Sequence, residues 1–314
     1  NVERVLPGHL YSVGLHALTK VRLARMPRPS RGSMSLQEAS SQLARLLRQS
    51  IRRITRDVDR IAVAFSGGLD SALTAHLARQ VHPEVHLFSV GLSGSSELST
   101  VEGYARELDL PITVQAFSAD SLEESVRRVI WLIEEPNLMK VSVAIPLHWA
   151  AMTAALGGFR VVLCGQGSDE LFGGYYKYAR TLDSKGEQAL VAELYRSVIE
   201  ASEVNYERDE QATAPFGVEL RTPFSDVDLI RFSLGVPVEF KVRPGNDLVR
   251  KWVLREAARN ARLPDDIVWR RKKAIQHGTG VENAIRKLAK SRSMTTDAYL
   301  TKIHAEVIKM ESMP

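Results

Sequence analysis

The string Ser66-Gly67-Gly68-Leu69-Asp70-Ser71 follows directly on a continuous apolar run, Arg60-Ile61-Ala62-Val63-Ala64-Phe65. The length and β-branching of that run favour a buried parallel strand, and a helical pattern from Ser71 to Gln80 comes next. Ligands of open α/β sheets bind at the carboxyl ends of strands, where this string lies. Glycine lets the backbone turn tightly and approach a phosphate closely, while the free N–H groups and dipole of the following helix favour an anion. Ser66 and Ser71 add hydroxyl donors. A carboxylate cannot usefully touch phosphate, so beside a polyphosphate the role of Asp70 is to hold Mg²⁺. The bland alternative is a glycine turn capped by serine. The lysine of GxxxxGK(S/T) is absent, which excludes a Walker loop.

The surrounding pattern alternates. Strands are expected at Glu84–Val90, Ile112–Phe117 and Phe159–Cys164, and helices at Leu98–Leu108, Leu122–Ile133 and Pro146–Leu156. This alternation predicts an α/β fold with a doubly wound parallel sheet flanked by helices. Before it, Ser35-Leu36-Gln37-Glu38 is a capping box, and a stripe at Leu36, Ala39, Leu43, Leu47, Ile51 and Ile54 predicts a helix. Residues 1–34 read as a linker or tail with a short extended piece near Val5–Leu10, and residues 35–180 as the α/β domain. From about Tyr178 the periodicity is helical only, so residues 181–314 are expected to form a mostly helical C-terminal part that completes the site.

A second glycine-rich turn, Gly165-Gln166-Gly167-Ser168-Asp169-Glu170-Leu171-Phe172-Gly173-Gly174-Tyr175, follows the strand ending near Cys164. Asp70 and Asp169, from adjacent strand ends, could hold one metal over a triphosphate and favour attack at the α phosphorus. Asp169 alone also reads as a helix N-cap.

The first turn, Ser66–Ser71, resembles the pyrophosphate-binding motif of the N-type ATP pyrophosphatases, and the second resembles the signature G-E-G-S-D-E-x-F-G-G-Y of class B asparagine synthetases and β-lactam synthetases. Further pieces fall in the same order: Phe88-Ser89-Val90-Gly91-Leu92, Val218 to Asp226, Lys251-Trp252-Val253-Leu254-Arg255, and Leu263-Pro264 through Lys273. The resemblance runs from about Ser35 to Gly280 and implies an adenine nucleotide α-hydrolase-like fold. It implies an ATP- and Mg²⁺-dependent, AMP-forming ligase that adenylates a carboxylate, aspartate by default, and passes it to ammonia. Ser66, Gly67, Gly68, Asp70 and Ser71 would bind pyrophosphate and Mg²⁺, with Asp169 as the second metal ligand. Val90 and Gly165 would line the adenosine site. Lys272 would stabilise charge during adenylation and amide formation, as a fixed cation beside a developing oxyanion does.

The chain departs from that pattern on the acceptor side. Gln166 stands where the family has glutamate, and a neutral amide neither binds an ammonium by charge nor acts as a base at pH 7. Ser142 stands where the family has arginine, and a serine cannot grip a carboxylate bidentately. Lys140 is the expected substitute, on the reading that residues 139–145 are extended and place both side chains on one side. The family also begins with a glutaminase domain, and Val5–Leu10 looks like its tail; the resemblance leaves open whether ammonia comes from a glutaminase domain, from a partner subunit or from solution. Two other readings remain, a tRNA-modifying ligase and a nucleotide-binding homologue without chemistry.

Bulk composition narrows the classes. The 44% hydrophobic and 25% charged shares are those of a globular protein, and no apolar run approaches the roughly 18 residues of a membrane span. The net charge of +5 is spread along the chain, which favours a solvated surface over a nucleic-acid site. Cys164 is the only cysteine, so internal disulfides are excluded and a cytoplasmic location is expected. A homodimer is left open.

Overall fold

A computed structural model describes residues 5–15, 17–23, 26–29, 32–271 and 274–311. Five strands form the main sheet: β3 (Ile61–Ala64), β4 (Val85–Leu92), β5 (Ile112–Phe117), β6 (Val161–Leu163) and β7 (Glu219–Arg221). Every pairing is parallel and the spatial order is β5-β4-β3-β6-β7. The chain therefore winds outward in one direction from β3 and, from β6, in the other. That reversal between β3 and β6 makes a topological switch point, and ligands of open α/β sheets bind in the crevice just beyond the strand ends there.

Helices cover both faces. On one, α1 (Leu36–Ile54), α2 (Leu69–Val81) and α10 (Trp252–Asn260) pack through Leu43, Leu47, Leu73, Leu77, Val253 and Ala257, all fully buried. On the other, α4 (Ala119–Ile133) and α5 (Leu138–Leu156) bury Val126, Ile130, Val141, Ile145 and Trp149. The remaining helices are α3 (Val101–Glu107), α6 (Ser168–Phe172), α7 (Tyr176–Ala201, interrupted at Gly186), α8 (Glu207–Thr213), α9 (Val227–Gly235), α11 (Asp265–Val268), α12 (Ile275–Gly278), α13 (Val281–Ser291) and α14 (Thr296–Glu311). The capping box is present: Ser35 Oγ accepts from Glu38 N at 3.2 Å, and Glu38 Oε2 accepts from Ser35 N at 2.8 Å.

Three elements differ from the sequence reading. First, α5 starts at Leu138, eight residues before Pro146, so residues 139–145 are helical and not extended. Asn137 caps it by accepting from Lys140 N at 3.1 Å, and the buried apolar face holds the helix through the proline. At this length α5 is apolar enough to cross a membrane by composition, but 67% of the relevant window is buried inside the fold, as in a core helix. Second, the C-terminal part is not helical only: β7 pairs with β6 and completes the sheet. Third, β1 (His9–Val13) and β2 (Leu18–Arg22) pair antiparallel as a hairpin, where the sequence reading has only a short extended piece near Val5–Leu10.

Lys241 is buried, and its ammonium donates to the carbonyl of Ser233 in the last turn of α9, where the helix dipole favours a cation. Burial pulls its pKa down to about 7. The unfolded chain then binds more protons than the folded one between that value and the ordinary 10.5, so this residue makes stability rise with pH across the window. We predict that Lys241→Met removes a slope of up to about 1.4 kcal/mol per pH unit, read as the wild-type-minus-variant difference in urea unfolding from pH 7 upward. A difference that does not change with pH contradicts the assignment.

Candidate active site

The ends of β3 and β6 each run into a glycine turn, and the two turns touch. A Cβ on Gly165 would lie 2.8 Å from Asp70 Cβ and 3.3 Å from Ser71 N, so only glycine lets the second turn rest on the first. Asp70 sits in the first turn of α2 and Asp169 in the first turn of α6. The side-chain N-cap reading of Asp169 fails, because Gly167 occupies the cap position.

Between the two carboxylates lies the ammonium of Lys251. Its Nζ is 2.7 Å from both oxygens of Asp70, 2.6 Å from Asp169 Oδ1 and 3.1 Å from Ser168 Oγ. Ser168 Oγ also donates to Asp70 Oδ1 at 3.0 Å. The lysine is buried, while the two aspartate side chains keep 19% and 15% of their exposure, so the cluster is open on the carboxylate side. Gly174 leaves the room: a Cβ there would collide with Asp169 Oδ1 and Lys251 Cε.

Delivering this ammonium strains the backbone. Arg250 (φ 54°) and Lys251 (φ 56°) are consecutive non-glycine residues in the left-handed region, at a cost of order 1–3 kcal/mol each. The surroundings over-determine them. Asp247 accepts from the N–H groups of Arg243, Val249 and Arg250 at 2.8–2.9 Å, Arg250 Nε donates to Gly174 O at 3.0 Å, and Lys251 N donates to Lys241 O at 2.7 Å. Arg255 then ties this loop to the segment beyond it. Its guanidinium donates to the carbonyls of Val249, Arg250, Val268 and Arg270. Arg270 in turn donates to Gly67 O at 2.8 Å, so the C-terminal segment grips the first turn.

A cavity of about 590 Å³ opens over this cluster. Of the sequence-predicted residues, Ser66, Asp70, Ser71, Val90, Gly165, Gln166 and Asp169 line it. Gly67 and Gly68 form the turn beneath without lining it. Lys140 and Ser142 do not reach the cavity. Lys140 is ion-paired with Glu135, and Ser142 is buried on α5 with its hydroxyl donating to Met139 O at 3.2 Å. A helical backbone gives neighbours two apart different directions, which removes the basis for pairing them. Lys272 lies outside the described residues.

The sequence reading missed a second polar group on the cavity wall. Glu170, 3% exposed, accepts from Tyr175 Oη at 2.5 Å and Asn205 Nδ2 at 2.7 Å. Burial, and then the charge of Asp169, raises its pKa. Arg208 and Asp209 form a buried ion pair at 2.6 Å nearby, and burial pushes Asp209 up to about 6 against the pull of Arg208. Burial also pushes the Cys164 thiol up to about 12, which leaves it a neutral structural group. Nothing in the local sequence marked Asn205 or Arg208, because they reach the wall from the far end of a helical run.

The family model described as asparagine synthase matches residues 42–189 and 178–300. The chain belongs to the asparagine synthase family. It is 38% identical over 285 residues to a Methanocaldococcus jannaschii protein named "putative asparagine synthetase (glutamine-hydrolyzing) 1", covering 82% of this chain and 52% of that one. It is 31% identical to the Arabidopsis thaliana "asparagine synthetase (glutamine-hydrolyzing) 1", covering 73% and 41%. The chain thus spans about half the length of these curated relatives. Among solved structures, NMN synthetase from Francisella tularensis aligns over 88% of this chain and 93% of its own, at 13% identity and a TM-score of 0.43, too distant to bear on the site.

The donor set fits a divalent cation. Two carboxylates converge on one cationic centre, which an ammonium fills, and their charges exceed it by one unit. No cluster of three or more His, Cys, Asp or Glu exists among the described residues, so an Mg²⁺ here would complete its shell with phosphate oxygens and water. We predict that Lys251→Met lowers the melting temperature and that added Mg²⁺ recovers part of the loss while shifting the wild type less. Equal shifts in both proteins would contradict a shared cation site.

Proposed function

We propose that this chain is the synthetase half of an asparagine synthetase-like ligase. It would convert a carboxylate and ATP into an acyl-adenylate and pyrophosphate, and then an amide and AMP. The observation that carries the reading is Lys251 held between Asp70 and Asp169 at the switch point of the sheet. Pyrophosphate would sit on the turn Ser66–Ser71, whose Ser66, Asp70 and Ser71 line the cavity at the N-terminus of α2, with adenosine against Val90 and Gly165. Asp70 and Asp169 would hold Mg²⁺, which neutralises charge on the departing pyrophosphate when bound. Lys251, which lies between the same two carboxylates, would supply a further positive charge beside these phosphates.

The acceptor's carboxylate oxygen attacks the α phosphorus and the α–β bond breaks. Ammonia then attacks the acyl carbon, AMP leaves with the electron pair of the breaking C–O bond, and the nitrogen loses a proton to solvent or a base. Lys272 is the proposed cation for the charge that develops in both steps. Aspartate is the proposed acceptor and ammonia the proposed nucleophile. A glutaminase domain or subunit is the proposed source of ammonia, and the β1–β2 hairpin is where such a unit would rest. Two strands alone are marginal in water, yet this hairpin and its flanks expose Leu10, Val13, Leu15, Leu18, Val21 and Leu23. The cytoplasm is the proposed compartment.

ATP–pyrophosphate exchange with L-aspartate tests the reading. We predict exchange by the wild type and a loss of at least about 10²-fold in Asp70→Asn and in Lys272→Ala, with circular dichroism unchanged. Normal exchange in either variant removes that residue from the mechanism.

A further inference from the structure

Adenylating one carboxylate of a dicarboxylic amino acid leaves the other to be held, and charge-assisted donors do this best. The residues expected to do so do not serve, since Ser142 is uncharged and off the cavity and Lys140 is paired with Glu135. Two cations line the cavity among the described residues, Lys177 and Arg208. The Lys177 side chain is 52% exposed, and an ion pair made by such a solvated cation contributes little.

Arg208 is different. Its side chain is 3% exposed, and Asp209 takes one edge of the guanidinium, with Nε at 2.7 Å and Nη2 at 2.6 Å from the same oxygen. That pairing fixes the plane of the group. The other nitrogen, Nη1, makes only long contacts, 3.4 Å to Val204 O and 3.5 Å to Asn205 Oδ1, well beyond the usual 2.9–3.0 Å. A π-helical turn, Ser202–Tyr206, precedes α8, and such turns recur at functional sites. Asn205 on that turn and Arg208 just after it both line the cavity.

We infer that Arg208 is the specificity-determining residue that binds the acceptor's second, non-reacting carboxylate through its under-used Nη1 edge, in place of a group at position 142. Asp209 orients the guanidinium and offsets its charge when no acceptor is bound. This assignment rests on the ligase reading above, and it adds the residue that selects the acceptor.

The test is a cross of variants and acceptors, read as ATP–pyrophosphate exchange. L-Aspartate carries both carboxylates, and 3-aminopropanoate keeps the reacting carboxylate and the amine but lacks the second carboxylate. The wild type should prefer L-aspartate by about 10²-fold in kcat/KM. Arg208→Lys keeps a cation beside Asp209 but not the fork, so it should raise KM for L-aspartate at least about tenfold and leave KM for ATP and for 3-aminopropanoate near wild type. The preference between acceptors should shrink accordingly. Since a lone change at a buried pair can unfold a protein, Arg208→Met combined with Asp209→Leu, which removes both charges at once, serves as the second variant and should lose the preference too. Retained preference in both folded variants, or equal losses with both acceptors, overturns the assignment of Arg208 while the ligase reading stands. No exchange by the wild type with L-aspartate overturns the aspartate ligase reading itself, and the assignment with it.

Discussion

One ammonium between two aspartates organises this molecule. Lys251, Asp70 and Asp169 come from three separate stretches of chain, and their side chains meet at 2.6–2.7 Å. Removing such charges from water is expensive, and their mutual attraction offsets the cost only if the geometry is exact and the remaining donors are used. The surrounding structure meets that condition. Ser168 Oγ links Lys251 to Asp70, Gly165 and Gly174 remove the Cβ atoms that would intrude, and Asp247 holds the loop that puts Arg250 and Lys251 in the left-handed region. A cluster assembled at this cost, with its carboxylates facing a cavity and carrying one excess negative charge, is suited to a charged ligand more than to holding the fold together.

The C-terminal part is therefore not an appendage to a finished α/β domain. It supplies β7 to the sheet, Lys251 to the cluster and, through Arg255 and Arg270, a brace on the first turn. Arg221 has a different task. It ion-pairs with Asp57 and Glu219 and donates to Ile54 O at the end of α1, which fixes β7 against that helix. Charged residues from adjacent motifs thus divide between positioning and the cavity.

What could be read from the sequence follows the range of the forces involved. Strand, glycine turn and helix are local, so both turns, the capping box on α1 and the parallel sheet were legible from spacing alone. The start of α5 was not, because Pro146 looks like a first-turn residue until tertiary burial of Val141 and Ile145 pulls the upstream turns into the helix. That error carried Lys140 and Ser142 to the wrong place. β7 has only three residues and forms a strand through its pairing with β6. Lys251 stood in a quoted motif, but no local pattern says that a lysine will cross to meet Asp70, 181 positions away in sequence. Arg208 was hidden for the same reason.

The central claim is that Asp70 and Asp169 share one cation over the phosphates of a bound nucleotide. Crystals grown with Mn²⁺ and an ATP analogue that resists α–β cleavage would locate that cation by its anomalous scattering. The account predicts a peak within direct coordination distance of both carboxylates, with Lys251 withdrawn from at least one of them. A peak bound to neither, or a nucleotide whose phosphates lie away from the turn Ser66–Ser71, would contradict it.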